Sequence, residues 1–404
     1  MSACNYLARE ALLDRTQKVL GYHFFLQSKE RTGEANAEHL ATLRQLLSEQ
    51  LHSEEGQYRL GESLVFFEMT PSALQCESLN RFNPAKTVLI FSKSVCIETD
   101  LIDAMKQLRS RGFGICLRNV DLSTLDRSYY PLVTHLELQF GAPNFPAQVK
   151  VLTSLKQAEL QVLACNLLTW QDFDTCAALG LSCFAGKLHL SPRANQAQAG
   201  LNTSQTTILQ LMEMVRKNTE VAKLEAVLKR DPGLAYKLLL YINSPGFGLR
   251  TEVQSLKHAV TVLGFSPLYR WLTLLLATAT SNGSSPILLE TAITRGRFAE
   301  LLGQAFMSKT DAENIFVAGM FSLLDRLLGI SMSDVLASIQ LPEAIVAALL
   351  KRSGPFGPYL ALAEACELNS SSVASLAEKL QIAPDDVNKA HCAALVWAKS
   401  LAVI

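Results

Sequence analysis

A surplus of charge of either sign is missing from this 404-residue chain: lysine plus arginine number 37, and so do aspartate plus glutamate. The balance holds in each half, with 19 basic and 20 acidic side chains in residues 1–199 and 18 and 17 in residues 200–404. A surface that tracks phosphates needs an excess of cation, so nucleic acid is not the expected partner. A C-x-x-C pair is also missing. The nine cysteines are odd in number, and most sit inside apolar runs as buried thiols do, so no disulfide framework is expected. The opening Met1-Ser2-Ala3-Cys4-Asn5 has no basic stretch followed by an apolar run, which predicts no signal peptide. The longest apolar candidate, Trp271 to Ala279, falls short of the about 20 residues a membrane span requires. Together these absences predict a cytoplasmic protein with no membrane segment.

What is present is ample core material. Hydrophobic residues make up 49% and charged residues 18%, which excludes the disordered class, and the length predicts two domains. In the first half, β-rich runs at Ser63–Met69, Lys86–Phe91, Gly114–Leu117, His135–Phe140 and Leu160–Ala164 alternate with helical spacing. The helical stretches are Glu38–Gln50, Thr99–Arg109, Ala147–Gln157 and Thr169–Ala178. This alternation predicts an α/β fold with a mainly parallel sheet, and its periodicity fits a closed barrel or an open sheet equally well.

The pattern stops near Arg193, where a small, polar, aperiodic stretch reads as a linker over 194–205. Beyond it all the signals are helical. Asp231-Pro232 supplies an N-cap and a first-turn proline, and Ser255 caps a helix that Gly264 ends. Ser266-Pro267 starts another, and further helices are expected at Ile287–Ser308, Asp311–Leu328, Pro342–Arg352, Val373–Leu380 and Pro384–Leu401. The expected division is therefore 1–193, linker 194–205, and an all-α domain over 206–404.

A hydrolytic barrel places its reacting groups where strands end, and cleaving a phosphodiester with a hard cation needs several carboxylates there. The predicted strand ends read Glu68-Met69, Ser92-Lys93, Arg118-Asn119, Gln139-Phe140 and Cys165-Asn166, of which only Glu68 is acidic. Asp121 and Glu137 lie nearby, but a charge on a loop or strand face ordinarily reads as a solvated one. His23 has no partner at a metal-ligand spacing, and Gly112-Phe113-Gly114 lacks the surroundings of a phosphate loop.

At these residues the chain resembles the EAL–HDOD proteins, bacterial signalling proteins that join an EAL-type barrel to a helical HDOD domain. Ala8 to Arg15 followed by Lys18-Val19-Leu20-Gly21-Tyr22-His23 looks like the first strand and EAL segment. The resemblance implies that His23 stands where active members carry the metal-binding glutamate, and Gln27 where they carry a phosphate-binding arginine. It likewise places Glu68, ahead of Thr70-Pro71, at a metal-binding asparagine. Leu89 and Ser92 fall near glutamates, Arg118 and Asn119 on paired aspartates, and Glu137 and Gln139 on a lysine and an aspartate. Ala164-Cys165-Asn166-Leu167-Leu168 replaces an acidic signature, and Ala185-Gly186-Lys187 a Gln-Gly-Tyr.

The helical half follows the HDOD signature more closely. Arg230-Asp231-Pro232-Gly233-Leu234, Ile242-Asn243-Ser244, Ser255 to Ala259 and Leu263-Gly264 occur in its order. Ser322-Leu323 stands where related HD hydrolases bind metal through a His-Asp pair, and this half holds only His258 and His391. The reading that follows is a regulatory protein with an EAL-like modified (β/α) barrel and an HDOD output domain. It is expected to be no enzyme, to have no catalytic, cofactor-binding or metal residue and no cofactor, and to act by binding protein partners among signalling components. Cyclic di-GMP is a disfavoured ligand, and a catalytically silent receptor for it is the alternative.

Overall fold

The structure, a computed structural model, describes residues 6–27, 37–53, 55–70, 77–92, 101–154, 160–188, 202–228, 230–243, 253, 255–279, 285–339 and 341–401. Its contacts divide the chain into two units, Met1–Ser191 with Glu367–Ser371, and Pro192–Cys366 with Ser372–Ile404.

The first unit is a closed barrel of eight strands in chain order: β1 (Leu7–Leu13), β2 (Val19–Leu26), β3 (Leu64–Glu68), β4 (Thr87–Ser92), β5 (Gly114–Arg118), β6 (His135–Gln139), β7 (Gln161–Leu167) and β8 (Cys183–Gly186). Of the two topologies the sequence leaves open, the closed one is present. β1 pairs antiparallel with β2 and β8, and all other pairs are parallel. Helices α1 (Ala37–Gln50), α2 (Leu101–Ser110), α3 (Phe145–Ser154) and α4 (Trp170–Ala178) follow β2, β4, β6 and β7. Thr169 and Asp172 close a capping box that fixes the start of α4. Alternate residues of each strand point inward. Leu12, Phe66, Val88, Ile90, Cys116 and Leu163 are among the side chains that fill the interior. At Gly186 a β-carbon would collide with the Leu167 carbonyl, where the β7–β8 register shifts, so only glycine lets β8 pass there.

The second unit is helical. Its first helices are α5 (Thr203–Arg216), α6 (Val221–Leu228), α7 (Pro232–Ile242), α8 (Leu256–Leu263) and α9 (Phe265–Thr278). Then come α10 (Pro286–Gly303), α11 (Lys309–Phe321), α12 (Leu324–Leu328), α13 (Met332–Ser338), α14 (Glu343–Lys351), α15 (Gly357–Glu367), α16 (Val373–Lys379) and α17 (Pro384–Ser400). Asp231 Oδ1 accepts from the Leu234 amide and Ser255 Oγ from the His258 amide, as the sequence punctuation predicts. Two expectations change. Residues 203–205, assigned to the linker, form the first turn of α5 because Asn202 and Gln205 cap each other reciprocally. The single helix expected over Asp311–Leu328 is two, broken at Ser322-Leu323. Most of the expected linker, the loop after Asn243, Pro71 and Ser191-Pro192 lie outside the described residues.

Candidate functional site

The inward parity of the strands decides which polar side chains meet at the barrel mouth. Glu10 lies two residues from the interior Leu12 and pairs in register with His23. Glu68 follows Phe66 and Ile90 precedes Ser92 on the same inward faces, and Ser92 pairs with Arg118. Glu137 and Gln139 share the inward face of β6 with His135. Glu10, His23, Glu68, Arg118 and Glu137 therefore converge, whereas Leu89 is buried on the opposite face of β4.

Arg118 is the centre of the cluster. Its Nε donates to Glu137 Oε2 at 2.7 Å, its Nη1 stands 3.8 Å from Glu68 Oε2, and its Nη2 lies 3.2 Å from His23 Nε2. Gln139 Nε2 donates to the other Glu137 oxygen at 2.8 Å. Burial opposes the Arg118 charge, but Glu137 and Glu68 outweigh it and hold the guanidinium protonated. Burial, with Arg118 adding to it, pushes His23 well below its usual range, so the ring is a neutral acceptor. Burial and then Glu137 push Glu10 up, which favours its protonated form. The mouth thus gathers three carboxylates, one neutral imidazole and a guanidinium in a site largely screened from water. Gln27 follows β2, and its Nε2 is buried with no hydrogen-bond partner.

The resemblance implies divalent ions at this mouth, and the residues present do not fit one. A dication would have to displace the guanidinium that already neutralises Glu137, and among the described residues no three His, Cys, Asp or Glu side chains could share an ion. The HD position of the helical unit is filled in a comparable way. Arg295, 5% exposed, donates from Nη1 to Ser322 Oγ at 2.8 Å and to Glu364 Oε1 at 3.1 Å, and Arg352 takes the same carboxylate at 2.7 Å. His391 is buried and stacked on Phe298 at 4.8 Å, and His258 is half-buried on α8.

The barrel carries a pH signature in three rings. Burial pushes His23 and His52 down, and His135 down to about 4. In the unfolded chain each ring takes a proton near its ordinary value of about 6.5. Below that value the unfolded chain binds more protons, so stability is present above it and is lost as pH falls through the folded values. His135→Gln is expected to reduce the stability lost between about pH 7.5 and pH 5.5 by roughly 1 kcal/mol. Urea unfolding at the two pH values measures it.

Family and sequence comparisons place this geometry among known proteins. Residues 201–334 match the model of the HDOD domain. The chain is 25% identical over 372 residues to the Vibrio cholerae protein named cyclic di-GMP phosphodiesterase CdgJ, covering 90% of this chain and 84% of that one. It is 23% identical over 410 residues to YuxH of Bacillus subtilis, covering 98% of both. Among solved structures, the cAMP-bound EAL enzyme Bd1971 matches with 14% identity and a TM-score of 0.36 over 46% of this chain, which spans 61% of that one. The EAL domain of Mycobacterium smegmatis DcpA matches with 17% identity and a TM-score of 0.35 over 45% of this chain and 90% of that one.

The CdgJ comparison corrects the expectation that the chain is no enzyme, because a relative aligned along most of it is named for a phosphodiesterase activity. The carboxylate census read from the sequence is also incomplete. Glu137 reads from sequence as a solvated strand charge but is 8% exposed inside the mouth, and Glu10 does not enter the count at all. Strand alternation was the signal that could have found both, since each lies two residues from an interior position. Among the described residues, no helix is long and apolar enough to cross a membrane. The chain thus carries a closed eight-stranded barrel ahead of a helical region whose residues 201–334 match the HDOD domain, an arrangement similar to that of the EAL–HDOD proteins.

Proposed function

We propose that this chain is a signal-transduction protein of cyclic di-GMP control whose HDOD unit passes the signal on by binding protein partners. The observation that carries this is on α7. Tyr236 is 68% and Leu240 41% exposed, and at a spacing of four residues they lie side by side on the helix. The opposite side of α7 is anchored by the buried Leu234 and Leu238. A large exposed aromatic beside an aliphatic side chain is an ordinary docking anchor, and tyrosine is enriched among residues that dominate binding energy. Tyr236→Ser with Leu240→Ser is expected to cut the recovery of specific partners from the native cell by about tenfold or more. Both positions are on the surface, so the thermal midpoint should hold. An unchanged partner set and yield would overturn the assignment.

A second reading, favoured by Arg118 at the mouth and by the name of the Vibrio relative, is that the barrel takes cyclic di-GMP. A guanidinium with carboxylates and a neutral imidazole around it supplies both a phosphate-binding cation and groups able to move protons. Calorimetric titration, with turnover measured beside it in magnesium and in manganese, tests this. Turnover lost in Glu137→Gln would assign catalysis to the mouth, and absence of both binding and turnover would retire this second reading.

A further inference from the structure

In the helical unit, α5 ends and α9, α11 and α14 begin around a half-open cavity of about 300 Å³. One face of α11 forms a wall. Its Thr310, Glu313, Asn314 and Val317 recur at the three- and four-residue spacing that stacks side chains on one side of a helix. Phe265 and Tyr269 of α9, also four residues apart, stand in a second wall, and Ile345 of α14 adds an apolar side chain.

The charged side chains at these walls are already engaged. Glu300 accepts from both terminal nitrogens of Arg270, at 2.7 and 2.8 Å. Glu313 accepts from the Ser266 hydroxyl and lies within charge range of Arg270. Arg216 acts on Glu213 of its own helix. Asp311 and Glu343 occupy the first turns of α11 and α14, where they answer the positive helix ends. Two neutral groups are left over. The Asn314 carboxamide and the Tyr269 hydroxyl, both half-buried, make no hydrogen bond with any described residue. Burial pushes the Tyr269 phenol up to about 12, with Arg216 pulling the other way, so it keeps its proton and stays a donor.

We propose that this cavity binds a neutral planar heterocycle with a hydrogen-bond donor beside an acceptor on one edge, a lactam or an amino-azine such as a purine base. The Asn314 carboxamide holds a donor and an acceptor in one plane, which matches such an edge with two hydrogen bonds. The ring body lies against Phe265, Val317 and Ile345, and the Tyr269 hydroxyl supplies a further donor. The volume sits at the lower end of ligand pockets, which suits a body of about two fused rings. A charged ligand would find no unanswered counter-charge at these walls, and a pure hydrocarbon would take the water from the carboxamide without replacing its hydrogen bonds. None of these residues belongs to α7 or to the barrel.

The test titrates the full chain calorimetrically with three neutral probes: 2-quinolone, whose lactam sets the donor beside the acceptor, its N-methyl derivative, which lacks the donor, and adenine. The lactam or adenine is expected to bind at one site at least about tenfold more tightly than the N-methyl derivative. A preference between these two separates lactams from amino-azines as the natural class. Asn314→Leu keeps the size of the side chain and removes its donor and acceptor, and should weaken the favoured probe by about tenfold. Thr310→Trp, at an exposed position of the lining, should block binding while leaving the circular dichroism spectrum unchanged. Equal affinity for all three probes, affinity unchanged in both variants, or no binding of 2-quinolone or adenine at concentrations on the order of 1 mM overturns the proposal.

Discussion

Arg118→Ala is expected to destabilise the barrel by about 3 kcal/mol or more. Its guanidinium is the cation between Glu137 and Glu68, and Glu10 stands close enough to Glu137 for their charges to repel. Removing it leaves carboxylates facing one another in a site that water reaches poorly, and a buried charge without its partner costs more than the intact pair contributes. The strands themselves would be unchanged, since Arg118 ends β5 and its backbone pairing is with Ser92. Guanidinium unfolding of the full chain measures the loss. Glu137→Ala in the Arg118→Ala background should recover part of it, because it removes the charge that was left alone. A single-variant loss below about 1 kcal/mol would mean that the pair is solvated and that the mouth is not the closed electrostatic unit described above.

This cluster also marks how far the sequence could be read. Strand runs bounded by turn residues gave β3 to β7 to within a residue or two at their starts, and Asp231, Ser255 and Gly264 named their own helix ends. Those signals are local, set by propensity and capping within a few residues. The hairpin of β1 and β2 is placed from the sequence only through resemblance. The pairings at the mouth are not local. Arg118 and Glu137 are nineteen residues apart and Arg118 and His23 ninety-five, and only barrel closure brings them together. The helical unit repeats the lesson. α10 buries Glu290, Arg295 and Glu300 on a helix that a reading by hydrophobic period would leave partly in water. Their partners Lys399, Glu364 and Arg270 come from three other helices.

Gly319→Ala is expected to cost about 3 kcal/mol or more in the helical unit, although alanine favours helix over glycine by about 1 kcal/mol. α10 and α11 cross with backbone against backbone. A β-carbon at Gly319 would stand 2.5 Å from the Gly296 α-carbon and 3.0 Å from the Arg295 carbonyl oxygen. Neither neighbour can rotate away, so the helices must separate, and the pairing that sets Arg295 against Ser322 would separate with them. Gly303 on the same helix pair supplies the contrast. A β-carbon there would meet Ile315 Cδ1 at 2.7 Å, the far end of a side chain that can change rotamer. Gly303→Ala is therefore expected to change stability by less than about 1 kcal/mol in either direction, the helix gain offsetting a small repacking cost. Urea unfolding of the two variants beside the parent chain decides the matter. Equal effects would show that the crossing has slack. A large loss at 319 with little change at 303 identifies direct backbone contact as what fixes α10 and α11 against each other.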